Sequence, residues 1–506
     1  MAEGWSVPIY SVEAMRAAEG RALAHATEDE LMDVASLAVA RACMHILRER
    51  HDAAPDSQIV ILAGAGNNGG DALLAGVHLV RAGAYVTAVL CADRTHQRAL
   101  ADFTSAGGHV LHAHDGHDVA PAVRAVQEAN IVIDGIVGLG ASPGLRPPAD
   151  TLVSAIDPHT SVVAVDLPSG VDVTTGELPS SHVHADATVT FSGLKACHVL
   201  PPAAYACGYV TVARVGVAMD HTPSLEQVGR ATVEDVRDRW PTPQATDHKY
   251  SRGVLGVIAG STAYPGAAVL AVSGAIRAGV GMVRYVGPER VQNLVLARRP
   301  ETVCTRSFVD AGRVQAWLVG SGVESDERQD SALEHALRSG LPVVVDAAAI
   351  EKCVHRRIHL ADAGSEPTPV VTPHAGELAA ALDAVGTHVS RAEVESRPVH
   401  FARALARQAQ VVVVLKGAAT LVCTPGGMVI SQPSGPAWLA TAGAGDVLAG
   451  VVGALLAGGL SPLDAAVVGV NVHAKAATAA SRGGPLAALD VAEAIPGVVA
   501  TVLAAR

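Results

Sequence analysis

Hydrophobic positions along the chain gather into short β-branched runs, each closed by a glycine or an acid and followed by an alanine-rich stretch of helical periodicity. In the first half these runs occupy 59–63, 85–91, 131–133 and 162–165. They are apolar at consecutive rather than alternate positions, which predicts strands buried on both faces in a parallel sheet covered by helices. Between about 216 and 244 the alternation dissolves into AMDHTPSLEQVG, a short charged helix, and the polar, proline-bearing PTPQATDHKYSRG, so a boundary is placed there. Runs resume at 254–258, 316–319, 343–345, 370–371 and 411–415, making the second half α/β as well. The expected organisation is a domain over 1–220, a linker over 221–245 and a second domain over 246–506. No unit of about 20 to 50 residues repeats, which excludes solenoids and propellers.

Composition agrees with two cores, since 506 residues exceed what one core organises. A net charge of −12 supplies no basic stripe for a phosphate backbone, so nucleic acid is excluded as a partner. The longest apolar stretch, 447–460, is shorter than the roughly twenty residues a membrane span needs and reads as a buried helix. The N-terminus carries an early acid and no basic-then-apolar run, which points to a cytoplasmic protein. Seven cysteines stand singly, without metal-ligand spacing, and read as reduced core thiols. His109, His112, His114 and His117 crowd one stretch, read as a solvated loop rather than a metal site.

Candidate chemistry begins with Gly64-Ala65-Gly66-Asn67-Asn68-Gly69-Gly70-Asp71, which leads from the first strand into a helix. Its glycines let backbone N–H groups approach a phosphate. The Gly64-x-Gly66-x-x-Gly69 spacing, with Asp93 after the next strand, also suits a redox dinucleotide site. Paired asparagines and an aspartate are superfluous for a pyrophosphate alone, so they read as ligands for something more. Two further loops, 134–144 and 166–170, end predicted strands at the same sheet edge. A single aspartate at a strand end is ordinarily a cap or turn residue. Three loops that each combine an acid with glycines read as a site.

In the second half, Ala442-Gly443-Ala444-Gly445-Asp446 opens a helix, offering free N–H groups as an anion hole with a carboxylate facing whatever hydroxyl attacks a phosphate held there. Lys416-Gly417-Ala418-Ala419-Thr420 follows a strand and adds a cation and more backbone donors. Together they point to phosphoryl chemistry, against the plainer alternative of glycine-rich helix packing with Asp446 as a cap.

Through NNGGD at 67–71, the Asp134 loop and DLPSG at 166–170, residues 8–217 resemble the N-terminal domain of the YjeF family, the NAD(P)HX epimerases. The resemblance implies a Rossmann-like three-layer fold. It implies that Asn67, Asn68, Gly69, Gly70, Asp71, Gly138, Leu139, Gly140, Ala141, Ser142, Pro143, Gly144 and Asp166 contact the hydrated cofactor. It also implies a potassium site at Asn68, Asp134 and Ser169, whose oxygen ligands suit a hard cation. Ala72-Leu73 after NNGGD and Leu139 between two glycines depart from the family pattern.

Residues 240–503 resemble the ribokinase-like superfamily and, within it, the ADP- or ATP-dependent NAD(P)HX dehydratases. The resemblance is carried by YSRGVLGVIAGS at 250–261, YPGAA at 264–268, RAGVGMV at 277–283, VGSGV at 319–323, TPHAGE at 372–377, KGAAT at 416–420 and TAGAGD at 441–446. It implies that Ala267, Gly322, His374 and Asp446 line the hydrated-cofactor site, and that Lys416, Gly417, Ala418, Ala419, Thr420 and Gly445 hold the nucleotide, with Mg2+ accompanying it. Departures fall at Gly320-Ser321-Gly322-Val323-Glu324, Asp346-Ala347-Ala348 and Ser434-Gly435-Pro436.

The expectation is therefore a bifunctional enzyme that interconverts the R and S forms of hydrated NADH and NADPH and dehydrates the S form, with ADP favoured over ATP, as a homo-oligomer. Asp166 is the expected acid or base of the first reaction, with Asp71 as the alternative, and Asp446 the base of the second. The competing reading is a small-alcohol kinase fused to a non-catalytic Rossmann-like binding domain.

Overall fold

The computed structural model describes residues 5, 7–50, 57–114, 117–179, 181–219, 227–324, 327–359, 367–433 and 435–505. The chain forms two compact units, one of residues 8–225 and one of residues 1–7 with 226–506.

The first unit is built on a seven-stranded, wholly parallel sheet in the order His109–His112, Tyr85–Leu90, Gln58–Ala63, Ile131–Gly135, Ser161–Val165, Ala187–Phe191 and Tyr209–Ala213. Its central runs are apolar throughout because both faces are covered. Ile59 and Ile61 pack with Leu73 and Phe103 on one face, while Val60 and Leu62 pack with Val126 and Leu152 on the other. Side chains alternate along a strand, so each set needs its own helical layer. The outer strands escaped the sequence reading. Tyr209–Ala213 is largely exposed, and His109–His112 turns histidines to solvent at both ends. The stretch expected as a loop at His109 and His112 is thus an edge strand, paired with Tyr85–Leu90.

The second unit carries a ten-stranded sheet in the order Val228–Gly229, Val429–Pro433, Ala419–Cys423, Val412–Leu415, Val370–Val371, Val343–Val345, Ala316–Val319, Val254–Ile258, Met282–Val286 and Val303–Thr305. Among the described residues only the pairings made by Ala419–Cys423 are antiparallel in this sheet. The glycine-rich helix Ala444–Ala457 is buried along almost its whole length and packs against Pro265–Arg277. A Cβ on Gly450 would run into the carbonyl of Ala271, and one on Gly274 into that of Val447, so the two backbones meet directly. Among the described residues no helix is long and apolar enough to cross a membrane.

The division between units differs from the sequence reading at two places. Residues 221–226 of the expected linker lie outside the described residues, but Val228–Gly229 adds a strand to the second sheet and Val233–Arg239 is a capped helix of that unit. At the N-terminus, Trp5 belongs to the second unit's core beneath the Arg239 guanidinium, 4.3 Å from its ring centroid, and Val7 pairs with Arg230.

Candidate functional sites

Parallel strands deliver all their C-terminal loops to one edge. In the first unit the loops after Gln58–Ala63, Ile131–Gly135 and Ser161–Val165 surround a cavity of about 750 Å³. Asn67, Asn68, Asp71, Gly138, Leu139, Gly140, Ala141, Ser142, Gly144 and Asp166 all line it. Gly69 and Gly70 are buried in the first turn of the helix Asn67–Arg81, beneath the cavity wall, and Pro143 is not among the lining residues. A Cβ at Gly138 would sit 2.6 Å from Asn68 Oδ1, so a larger residue there would displace the Asn68 side chain.

Asp166 takes a left-handed backbone conformation, with φ of 66°, which a non-glycine residue holds only under strong local constraint. Its N–H donates to Val189 O at 2.8 Å, and its carbonyl accepts from His198 Nε2 at 2.9 Å. His198 Nδ1 accepts from the Lys195 N–H at 3.0 Å, which leaves the ring proton on Nε2. The Asp166 carboxylate accepts from Thr190 Oγ1 at 3.0 Å and forms a fully buried ion pair with Lys195, whose ammonium also donates to Thr190 Oγ1 at 2.8 Å. Burial opposes ionisation of Asp166, but Lys195 outweighs it and holds the carboxyl below its ordinary range. Asp71 stands in the opposite condition. Burial, reinforced by the charges of Asp166, Glu19 and Glu28, pushes its carboxyl well up, and its Oδ1 has no hydrogen-bond partner. One cavity therefore holds a carboxyl whose surroundings favour its protonated form and one whose cation favours the ionised form.

Asp134 and Ser169 form a buried knot: Ser169 N–H and Oγ donate to the carboxylate at 2.7 and 2.6 Å, and Ile136 N–H donates at 3.2 Å. Asn68 ties the neighbouring loops by donating to Val137 O at 3.1 Å and Val165 O at 2.7 Å. Burial pushes Asp134 up to about 6 against these neutral donors. An oxygen-rich cluster around an uncompensated buried carboxylate fits a monovalent cation.

In the second unit, Asp346, Thr372 and Lys416 follow three adjacent parallel strands, and Ser321 follows a fourth. Asp346 accepts from Thr372 Oγ1 at 2.7 Å and Ser321 Oγ at 2.8 Å, and Lys416 Nζ lies 3.3 Å from its carboxylate. Lys416 also stands 3.4 Å from Glu377. A Cβ on Gly445 would be 3.3 Å from Lys416 Nζ, which places the ammonium against the N-terminus of the helix Ala444–Ala457. Gly443, with φ of 89°, opens that turn. Burial opposes ionisation of Asp346, yet Lys416 and the two hydroxyls hold its carboxyl below the ordinary range. Asp446 behaves otherwise: burial and then the charge of Asp346 raise it to about 7. A carboxyl that titrates near neutrality beside a cation-reinforced anion hole is suited to take a proton from an attacking hydroxyl.

Gly322, with φ of 62°, and Ala267 are brought into contact, since a Cβ on Gly322 would strike the Ala267 methyl. His374 caps the helix Ala375–Asp383, its Nδ1 accepting from Glu377 N–H at 3.1 Å, and its side chain is exposed. Lys416, Gly417 and Ala418 form the turn of a hairpin, whereas Ala419 and Thr420 belong to the strand Ala419–Cys423. Ser434 lies outside the described residues. Sequence reasoning missed Lys195 and the pairing of Asp346 with Lys416. Lys195 sits in TFSGLKACH without a motif, and only its burial marks it.

These two sites, on a Rossmann-like unit and a ribokinase-like unit, define a fused pair of α/β enzymes, the second equipped for phosphoryl transfer. Residues 28–197 match the family of the YjeF-related protein N-terminus, and residues 255–496 match the NAD(P)H-hydrate dehydratase family. The chain is similar to the bifunctional NAD(P)H-hydrate repair enzyme Nnr of Mycobacterium tuberculosis, 42% identical over 90% of each chain. It is also similar to that of Mycobacterium leprae, 40% identical over 97% of this chain and 96% of the relative. The crystallised ADP/ATP-dependent NAD(P)H-hydrate dehydratase of Bacillus subtilis is 29% identical, with a TM-score of 0.49, over 54% of this chain and 99% of its own. The chain belongs to the family of bifunctional NAD(P)H-hydrate repair enzymes.

Proposed function

We propose that the first unit interconverts the R and S forms of hydrated NADH and NADPH and that the second dehydrates the S form at the expense of ADP or ATP. The substrate ring carries a hydroxyl at carbon 6, next to the ring nitrogen. For epimerisation, Asp71 protonates the hydroxyl, the C–O bond breaks as the nitrogen lone pair forms an iminium, and water adds to the opposite face while Asp166 takes its proton. The opposite shifts of these two carboxyls in one cavity support that division of labour. Lys195 acts through Asp166 as a positioning residue. The Asn68, Asp134 and Ser169 cluster would hold a potassium ion, which supplies charge compensation at the loop junction.

For dehydration, Asp446 takes the proton of the ring hydroxyl, whose oxygen attacks the terminal phosphoryl group of the nucleotide, releasing AMP from ADP or ADP from ATP. The C–O bond then breaks, phosphate leaves with the bonding electrons, the nitrogen lone pair forms the iminium, and loss of a proton from carbon 5 restores the dihydronicotinamide. Lys416 and the N–H groups opening the helix Ala444–Ala457 would stabilise the transferring charge. Magnesium would enter with the nucleotide's phosphates, as it commonly does. Ala267 and Gly322 are proposed to face the hydrated ring and 416–420 the nucleotide. The observation that carries the reading is Asp446, raised to about 7, on the turn that receives Lys416.

The test is incubation of the protein with an R and S mixture of hydrated NADH in potassium buffer, with ADP, ATP or neither, following NADH absorbance and phosphate. Complete return of NADH with equimolar phosphate is expected. A stable phosphorylated product without NADH would replace the reading with a small-alcohol kinase.

A further inference from the structure

Three histidines outside both sites converge on the edge of the first unit's sheet. His112 ends the strand His109–His112, and His114 and His117 follow it. One ring nitrogen from each lies within 4.8 Å of the other two. His112 Nδ1 and His114 Nε2 are 3.2 Å apart. Nitrogen ligands bound at 2.0–2.1 Å to a tetrahedral ion stand about 3.4 Å from one another, so this pair already spans a coordination edge. The rings of His114 and His117 meet edge to face with centroids 4.5 Å apart, and His117 stacks nearly parallel to His112 at 5.1 Å, so the third nitrogen reaches the same point once its ring turns out of that stack.

An acid also stands behind the cluster. His114 Nδ1 lies 2.6 Å from Asp93 Oδ1, within ion-pair distance though outside hydrogen-bond alignment. A ring proton on the nitrogen that faces this carboxylate would leave the Nε2 lone pair directed at His112 Nδ1. That is the carboxylate–histidine arrangement that orients metal ligands and raises their basicity. Two imidazole nitrogens facing each other at this distance need a proton or a cation between them. Asp93 and the histidines follow neighbouring strands, Tyr85–Leu90 and His109–His112, whose C-terminal loops share an edge with the cavity lined by Cys91 and Ala92.

We propose that His112, His114 and His117 form a binding site for one divalent transition-metal ion of the zinc, nickel and cobalt class, with Asp93 as the carboxylate behind His114. Imidazole ligands select this class over magnesium or calcium. The ion would fix the loop after His109–His112 and, through the Asp93 carboxylate behind His114, brace it against the loop after Tyr85–Leu90 at the rim of the epimerase cavity. It is distinct from the oxygen-ligand cluster at Asp134.

The experiment titrates the full-length protein, freed of metal by chelator, with Co2+ and then Zn2+ in the absence of nucleotide, reading the visible absorption of bound cobalt and the retained zinc per chain. One equivalent showing the intense bands of tetrahedral cobalt, displaced by zinc, is expected. It should be lost in the triple variant His112→Ala/His114→Ala/His117→Ala, and Asp93→Asn should weaken it about 10- to 100-fold. Each single His→Ala variant provides the same readout should the triple variant fail to fold. Equal cobalt spectra and zinc retention in the wild type and in the histidine variants would overturn the proposal. So would the absence of any stoichiometric binding, leaving a proton shared between His112 and His114.

Discussion

Asp71 and Asp166 line one cavity with opposite proton affinities. Burial and the surrounding acids drive Asp71 up, while Lys195 overcomes the same burial and drives Asp166 down. As acid and base they are both correctly charged only between the two titrations. R and S interconversion should therefore persist to below the ordinary carboxylate range and decline as pH rises through the raised value of Asp71. Asp71→Asn and Asp166→Asn should each slow it about 10²- to 10⁴-fold. The two epimers, resolved by chromatography over time, provide the measurement, with dehydration of purified S form as the unaffected control.

Replacing Lys195 with Met leaves the Asp166 carboxylate buried without its cation. Breaking such a pair typically costs about 3–5 kcal/mol, to be read as a lower urea midpoint for the first unit and faster hydrogen exchange in the strand Ala187–Phe191. The double variant Lys195→Met/Asp166→Leu should recover much of that loss. Because the folded carboxyl of Asp166 is depressed, its contribution is full above the unfolded value and fades only as pH falls through the folded one. Acid destabilisation of this unit should therefore be shallower in Lys195→Met.

Dehydration should show an acid limb with an apparent pKa near 7, since Asp446 must be ionised to accept a proton and is raised to about 7. The rate rises with pH across that limb. Asp446→Asn should abolish it and lower kcat about 10²- to 10⁴-fold. Lys416→Met should move the limb to higher pH, because Lys416 is the cation that favours ionised Asp446. A limb unchanged in Asp446→Asn would assign it to another group.

Gly322→Ala places a methyl against Ala267 at a backbone angle that glycine alone holds easily. Strain of about 1–3 kcal/mol should appear as a rise of roughly tenfold or more in the KM for S hydrated NADH. The KM for ADP should change little. An equal rise in both would place Gly322 at the junction of the two ligands.

Exchange of potassium for lithium, or Asp134→Asn, should impair epimerisation and leave dehydration intact. Asp134 is buried among neutral donors that a cation would complement. Initial rates of R and S equilibration at fixed ionic strength distinguish this from simple salt screening.

Much of the architecture was legible along the chain. Consecutive apolar residues such as Ile59 to Leu62 announce a strand covered on both faces, because alternating side chains must all be buried. Glycines 138, 443 and 445 announce places where backbone approaches a side chain closely, because a Cβ there would crowd Asn68, Leu270 and Lys416. These are local properties, set by periodicity and by atoms that are absent. What the tertiary structure alone decided is the state of the charges. Lys195 lies 29 residues from Asp166, and Lys416 lies 70 from Asp346. Whether Asp71 or Asp166 carries the proton depends on burial and on Coulomb terms that fall with distance in space, not along the chain. The same holds for Trp5, which lies at the head of the first half in sequence yet fills the core of the second unit, where Arg239 covers its ring.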